Sequence, residues 1–258
     1  MAINKAFRLV AENVHTRADC ERHGEYDCIV SRLGQMEFRT SCPRCKRERD
    51  AQQVQVKLAV VKPRPVDVEK MRQEAGVAPR YAGKTLENFM AQHEGQRYAL
   101  MQARRLVEAV LQQPVSAPNM IFAGRPGTGK SHLACAIVNA LTPARQVRRR
   151  KLVEIVRDIR ETWRRGSGAS ERAVIEQYAA LDLLLIDEVG AGSGTDLERS
   201  QIFDVMDARY ENRLPTVLIT NLSVDGLKRE MGERVIDRLR DGERVWVNFD
   251  WESQRGLM

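Results

Sequence analysis

The chain has 258 residues, enough for one large α/β domain or for a mid-sized domain with a small appendage, and either can bury a substantial core. A formal charge of +7 and a pI near 9.3 point to an anionic partner such as nucleic acid and say nothing about fold. No N-terminal apolar h-region is present and no run approaches the ~18 to 20 apolar residues that span a bilayer, which excludes an integral helical membrane protein and leads us to expect a soluble, cytoplasmic one with no membrane partner. The five cysteines, an odd number without an export signal, argue for metal binding or free thiols over a disulfide framework.

The first expected domain, residues 1–50, holds Cys20-x2-His23, then Cys28, then Cys42-Pro43-Arg44-Cys45. Two short-spaced pairs, one on each side of a gap, fold two knuckles around one tetrahedral ion, and thiolate with imidazole suits zinc. The expected ligands are Cys20, His23, Cys42 and Cys45. Cys28 competes, either in place of His23 or as a small buried hydrophobe, and His15 is a more distant candidate. The alternative of unconnected thiols is weakened because the segment has too few large apolar residues to fold without a staple.

Residues 51–78 read as a partly helical linker, because Pro63-Arg64-Pro65 breaks a charged helical stretch into a short helix, a kinked connector and a second short helix. Residues 79–258 form the expected nucleotide domain. Its first segment, Ala78 to Tyr81 and Thr85 to Phe89, carries turn residues and two aromatics that either flank an adenine or dock the linker on the domain.

From Gly95 onward, helical and strand patterns alternate as a parallel sheet with crossover helices requires. Leu100, Ala103, Leu106 and Val110 recur at helical spacing. Met120-Ile121-Phe122-Ala123 then reads as a buried strand, and Gly124, Arg125, Pro126, Gly127, Thr128, Gly129, Lys130 and Ser131 complete a phosphate-binding loop, with His132 opening the next helix. The glycines allow backbone N–H groups to converge on an anion at a helix N-terminus. Lys130 is expected at the β- and γ-phosphates, and Ser131 as a Mg²⁺ ligand. ATP and Mg²⁺ are the expected cofactors.

Arg145, Arg148, Arg149, Arg150, Lys151, Arg157, Arg160, Arg164, Arg165 and Arg172, with Trp163 among them, form a basic stretch suited to single-stranded DNA if it lines a groove. Leu152, Ile155, Ile159 and Trp163 also follow helical spacing, so Trp163 fits a core position as well as a stacking platform. Only Val147 precedes three arginines, which leaves a strand there in doubt. Leu181 to Ile186 is a central-strand signal ending in Asp187-Glu188. Asp187 is placed to hold Mg²⁺ and Glu188 to activate the attacking water. Thr216 to Thr220 is a further strand, with Asn221 at its end to orient that water or touch the γ-phosphate.

Phosphate loop, acidic pair and strand-end Asn follow one another as in AAA+ ATPases. The motifs Gly124 to Ser131, Leu184 to Gly190, Ile219-Thr220-Asn221, Met231 to Arg240 and Val245 to Phe249 resemble the DnaC-type replicative helicase loaders, a branch that includes the IstB-like transposition helpers. The resemblance covers roughly Pro79 to Arg255 and implies an α/β AAA+ P-loop domain behind a small zinc-binding domain. It implies that Arg238 is an arginine finger acting on a neighbour's ATP, with Arg234 as fallback, and that Arg255 reads the γ-phosphate in cis. Lys130, Asp187, Glu188, Asn221 and Arg238 are then the catalytic set. Arg157, Arg160, Arg164 and Arg165 would contact single-stranded DNA. The implied activity is ATP-dependent loading of a hexameric replicative helicase, docked through the zinc module, with self-association through the ATP site. The rival implied by the same branch is a transposition helper. A small-molecule P-loop kinase would leave Gly232 to Arg238 without a role, and a zinc-dependent DNA-binding regulator would lack DNA-stimulated ATPase activity.

Overall fold

The computed structural model describes residues 12–33, 36–49, 67–164, 168–192, 194–241 and 244–254. The chain divides into two compact units, Met1–Val66 and Asp67–Met258. In the first, β1 (Glu12–Cys20) and β2 (Gly24–Leu33) pair antiparallel, and β3 (Met36–Arg39) adds to β2. The turn at residues 21–23 closes on a bond from His23 N to Cys20 O of 3.1 Å, and residues 43–49 form helix α1. Its buried apolar side chains among the described residues are Cys28, Val30 and Cys42. So small a core does not hold a fold by burial alone, which is the condition under which a bound ion becomes folding energy.

The second unit begins with α2 (Val68–Glu74), so residues 67–78, expected as part of the linker, fold with this unit. A 3₁₀ turn at Pro79–Tyr81 and α3 (Glu94–Gln112) follow. Then come β4 (Asn119–Gly124), α4 (Lys130–Leu141), β5 (Val147–Lys151), α5 (Leu152–Glu161) and α6 (Glu171–Ala179). The chain continues through β6 (Leu183–Val189), α7 (Asp196–Glu211), β7 (Thr216–Thr220), α8 (Val224–Met231), α9 (Glu233–Arg240) and β8 (Arg244–Phe249). The strands order as β5-β6-β7-β4-β8 with every pairing parallel. Among the described residues, no helix is long and apolar enough to cross a membrane.

The pleat sends alternate residues of each strand into opposite layers. Met120 and Phe122 pack with α3 and α4, while Ile121 and Ala123 pack with the layer built from α5 to α9. Both faces are covered, so the central strands read as continuous apolar runs. The doubtful strand, β5, forms at the sheet edge, where one neighbour satisfies it. Val147 is buried and Arg148 to Lys151 are half-buried.

Arg209 of α7 is buried at 1% exposure and fastens three segments. Its Nε donates to Thr216 Oγ1 at 2.9 Å, and its Nη1 to Tyr178 O at 2.7 Å and Leu181 O at 3.0 Å; Nη2 donates to Pro215 O. Burial lowers its pKa to about 9 against the pull of Asp182, leaving it charged at neutral pH. Arg209→Met strands those carbonyls in the interior, and we expect a loss of about 3 kcal/mol or more in urea unfolding. A loss below about 1 kcal/mol would contradict this role.

Candidate nucleotide and metal sites

The phosphate loop leaves β4 at Gly124, whose φ of +146° and closeness to β8 admit no side chain: a Cβ there would lie 2.1 Å from Phe249 O. Arg125 N bonds Phe249 O at 3.1 Å and Gln254 N bonds Gly127 O at 2.8 Å. Trp251 Nε1 donates to Thr128 O at 2.8 Å, while its ring packs on Phe249 and His93 at centroid separations of 4.8 and 5.0 Å. The chain after β8 thus fixes the loop from outside. Trp251 was not singled out in the sequence, where it is one aromatic after a strand. Within the loop, Thr128 Oγ1 bonds Arg125 O at 2.8 Å, and Lys130 Nζ lies 2.7 Å from both Gly124 O and Arg125 O.

Pro126 to His132 line a cavity of about 890 Å³ together with Asp187, Glu188, Asn221 and Gln254. Gly124 and Arg125 are not in its lining, and their carbonyls accept from Lys130 Nζ. Asp187 is buried at 3% exposure; Glu188 N donates to its Oδ1 at 2.7 Å, and Arg149 Nη2 pairs with its Oδ2. The β6–β7 register shifts between Ile186 and Val189, and Glu188 takes φ +54°. A non-glycine residue in the left-handed region is strained, a condition that concentrates at functional positions. The kink turns Glu188 outward, where Lys151 Nζ lies 2.9 Å from Oε2. Arg149 and Lys151 belong to the basic stretch, and the structure places both on the acidic pair. Their signal was available: alternate residues of the strand beside Asp187-Glu188 point to one face.

The segment before α3 both docks on the domain and lines the cavity, through Tyr81, Asn88 and Phe89. Asn139 of α4 holds it by donating to Tyr81 O at 3.1 Å, Ala82 O at 3.3 Å and Lys84 O at 2.8 Å. His132 meets Phe89 edge-on at 5.4 Å and has Nε2 3.0 Å from Asn88 Oδ1. Burial, with Lys84 adding to it, lowers the His132 pKa, so the imidazole is neutral at pH 7.

Arg238 does not line this cavity. Its Nε bonds Asp207 Oδ1 at 2.8 Å and its guanidinium lies 4.5 Å from the Tyr210 ring centre. Arg234 lies over Phe203 at 4.5 Å. Arg255 and Arg165 fall outside the described residues.

Among the described residues, several members of the basic stretch are engaged by separate partners. Arg145 caps the last carbonyls of α3, at Val110 and Leu111, Arg160 pairs with Glu198 at 3.4 Å, and Arg172 pairs with Glu176 at 2.7 Å. Arg157 and Arg164 are exposed. Trp163 is 52% exposed, with Nε1 donating to Glu171 at 2.8 Å. It lies outside the core that Leu152, Ile155 and Ile159 build.

In the first unit the ligand atoms of Cys20, His23, Cys42 and Cys45 all lie within 4.8 Å of one another. His23 Nδ1 is 3.8, 3.7 and 3.3 Å from Sγ of Cys20, Cys42 and Cys45, and the Cys20 and Cys45 sulfurs are 3.7 Å apart. A tetrahedron with bonds of about 2.0 to 2.3 Å has edges of roughly 3.5 to 3.8 Å, so the donor set fits zinc. His23 Nε2 lies 3.0 Å from Glu48 Oε1, the carboxylate support that orients a ligating imidazole. Cys28 bonds instead toward Thr40 O at 3.5 Å, and His15 lies outside the cluster.

A family model described as IstB-like ATP binding protein matches residues 82–241. The replicative helicase loader DnaC of Escherichia coli (strain K12) is 34% identical over 193 residues, spanning 74% of this chain and 77% of that one. DnaC of Buchnera aphidicola subsp. Schizaphis graminum is 34% identical over 182 residues, 70% and 73% of the two chains. Among solved structures, that of the DnaC helicase loader aligns with TM-score 0.57 and 22% identity over 66% of this chain and 99% of its own, a likeness of fold. Replication initiator DnaA bound to AMPPCP and single-stranded DNA aligns with TM-score 0.55 and 27% identity over 67% and 51%. The chain belongs to the IstB-like ATP-binding family, within the AAA+ branch that it shares with the DnaC helicase loaders.

Proposed function

We propose that this protein is an ATP-dependent loader that places a hexameric replicative DNA helicase on single-stranded DNA. The observation that carries the reading is the meeting of the loop, Asp187, Glu188 and Asn221 on one cavity, in a chain similar to proteins named helicase loaders over three quarters of its length. That similarity favours the loader over the transposition helper.

In this reading the loop amides and Lys130 hold the triphosphate, and Ser131 and Asp187 hold Mg²⁺. The buried, low-dielectric position of Asp187 suits a dication. Glu188 accepts a proton from the attacking water, and Asn221 orients that water. Arg238, turned away from its own cavity on α9, is presented to the ATP of a neighbouring subunit, so hydrolysis depends on assembly. Arg157, Arg164 and the exposed face of Trp163 offer charge and a stacking surface to single-stranded DNA. Residues 1–50 fold around zinc and dock the helicase, residues 51–66 connect, and the unit from Asp67 onward forms the ATPase.

Capture of the replicative helicase from the same source tests the function directly. Full-length protein with ATP should retain it, and a chain carrying Cys42→Ser with Cys45→Ser should not; no capture under any nucleotide would contradict the loader reading.

The same double variant should lose one bound zinc ion by metal analysis, while Cys28→Ser retains it. Zinc retained by the double variant would overturn the ligand set.

Arg238→Ala should lower assembled ATPase activity by about 10³-fold with nucleotide affinity changed by less than about threefold, read by a fluorescent ATP analogue. Equal loss of binding would make Arg238 structural.

A further inference from the structure

Arg149 of β5 stands between two parts of the second unit that no requirement of ATP chemistry joins. Its Nη2 pairs with Asp187 Oδ2, the two side chains being 13% and 5% exposed. Its Nη1 donates to Gly76 O at 3.2 Å, and its backbone N donates to Ala75 O at 2.7 Å. Gly76, at φ +90°, leaves no room between them: a Cβ there would lie 2.0 Å from Arg149 O. Ala75 and Gly76 directly follow α2, the first helix of this unit.

The contrast with Arg209 is informative. Arg209 uses all of its guanidinium nitrogens on neutral acceptors. Arg149 leaves Nε buried with no hydrogen-bond partner and spends its best contact on the carboxylate expected to serve Mg²⁺. A buried carboxylate needs a cation or hydrogen-bond donors to keep its charge, and at the proposed site Arg149 and Mg²⁺ would compete for Asp187. When the dication takes the carboxylate, the guanidinium loses its counter-charge while remaining next to the end of α2.

We infer that Arg149 is a positioning residue that couples magnesium occupancy of the nucleotide site to the seating of the α2 end, giving the segment that leads from the zinc unit a direct connection to Asp187. The inference rests on the reading of Asp187 as the magnesium carboxylate. Coupling of this kind is reciprocal: whatever displaces the α2 end weakens the competitor and raises the affinity for Mg²⁺.

The test uses the full-length protein, a fluorescent ATP analogue titrated with Mg²⁺, and limited trypsin cleavage after Arg72, followed by mass spectrometry. Arg149→Gln should lower the half-saturating Mg²⁺ concentration about fivefold or more and speed cleavage after Arg72. In the unmodified protein, the analogue with Mg²⁺ should speed that cleavage relative to the analogue with EDTA, a readout that does not depend on the variant folding. Cleavage indifferent to Mg²⁺, or an unchanged Mg²⁺ requirement in a folded Arg149→Gln chain, overturns the coupling. Asp187→Asn separates the two levels. If it raises the Mg²⁺ requirement while Arg149→Gln does nothing, the magnesium reading stands and the coupling falls. If Asp187→Asn leaves the requirement unchanged, both fall.

Discussion

The carboxyl edge of one all-parallel sheet is the constraint on which the rest of the nucleotide unit depends. Because β4, β6 and β7 run the same way, the phosphate loop, the Asp187-Glu188 pair and Asn221 emerge on the same side without any long-range adjustment. Apolar layers cover both faces of the sheet, and Phe249 O at the end of β8, with Trp251 and Gln254 beyond it, bonds the loop. Position follows from topology, and chemistry from the few polar side chains placed there.

Those polar side chains are held by one another. Lys130 rests on two loop carbonyls, Asp187 on Arg149 and Glu188 on Lys151. The Asp187–Arg149 pair offsets the cost of burying charge, whereas the Glu188–Lys151 pair is half-exposed. In the proposed function a triphosphate with Mg²⁺ would offer charged partners to the same groups, negative for the lysine and positive for the carboxylates. The strained backbone at Glu188 is part of this arrangement, since it points one carboxylate inward and its neighbour outward.

Much of this was legible in the sequence because it is written in short spacings. The loop, the apolar runs and the Cys-x2-His and Cys-x2-Cys pairs each specify local geometry, and the structure brings the ligand atoms of Cys20, His23, Cys42 and Cys45 within 4.8 Å of one another. The pattern gave way where a residue's role depends on which strand lies beside it. Arg149 and Lys151 read as part of a basic stretch because their neighbours in sequence are basic; their neighbours in space are Asp187 and Glu188. Arg145 and Arg209 likewise serve carbonyls 28 to 35 residues distant, a use no local window reveals. Trp251 and Asn139 carried no signal because single residues that clamp backbone carbonyls have no repeat or spacing to announce them.

In the proposed function one chain carries only half of a working site, the other half being Arg238 of a neighbour. Mixing two inactive full-length variants, Glu188→Gln and Arg238→Ala, tests this most directly. Where a Glu188→Gln subunit presents its intact Arg238 to the cavity of an Arg238→Ala subunit, a complete site forms, and ATPase activity should rise well above the sum of the separate preparations. Activity that stays at that sum, in a mixture shown to co-assemble, would contradict the shared site.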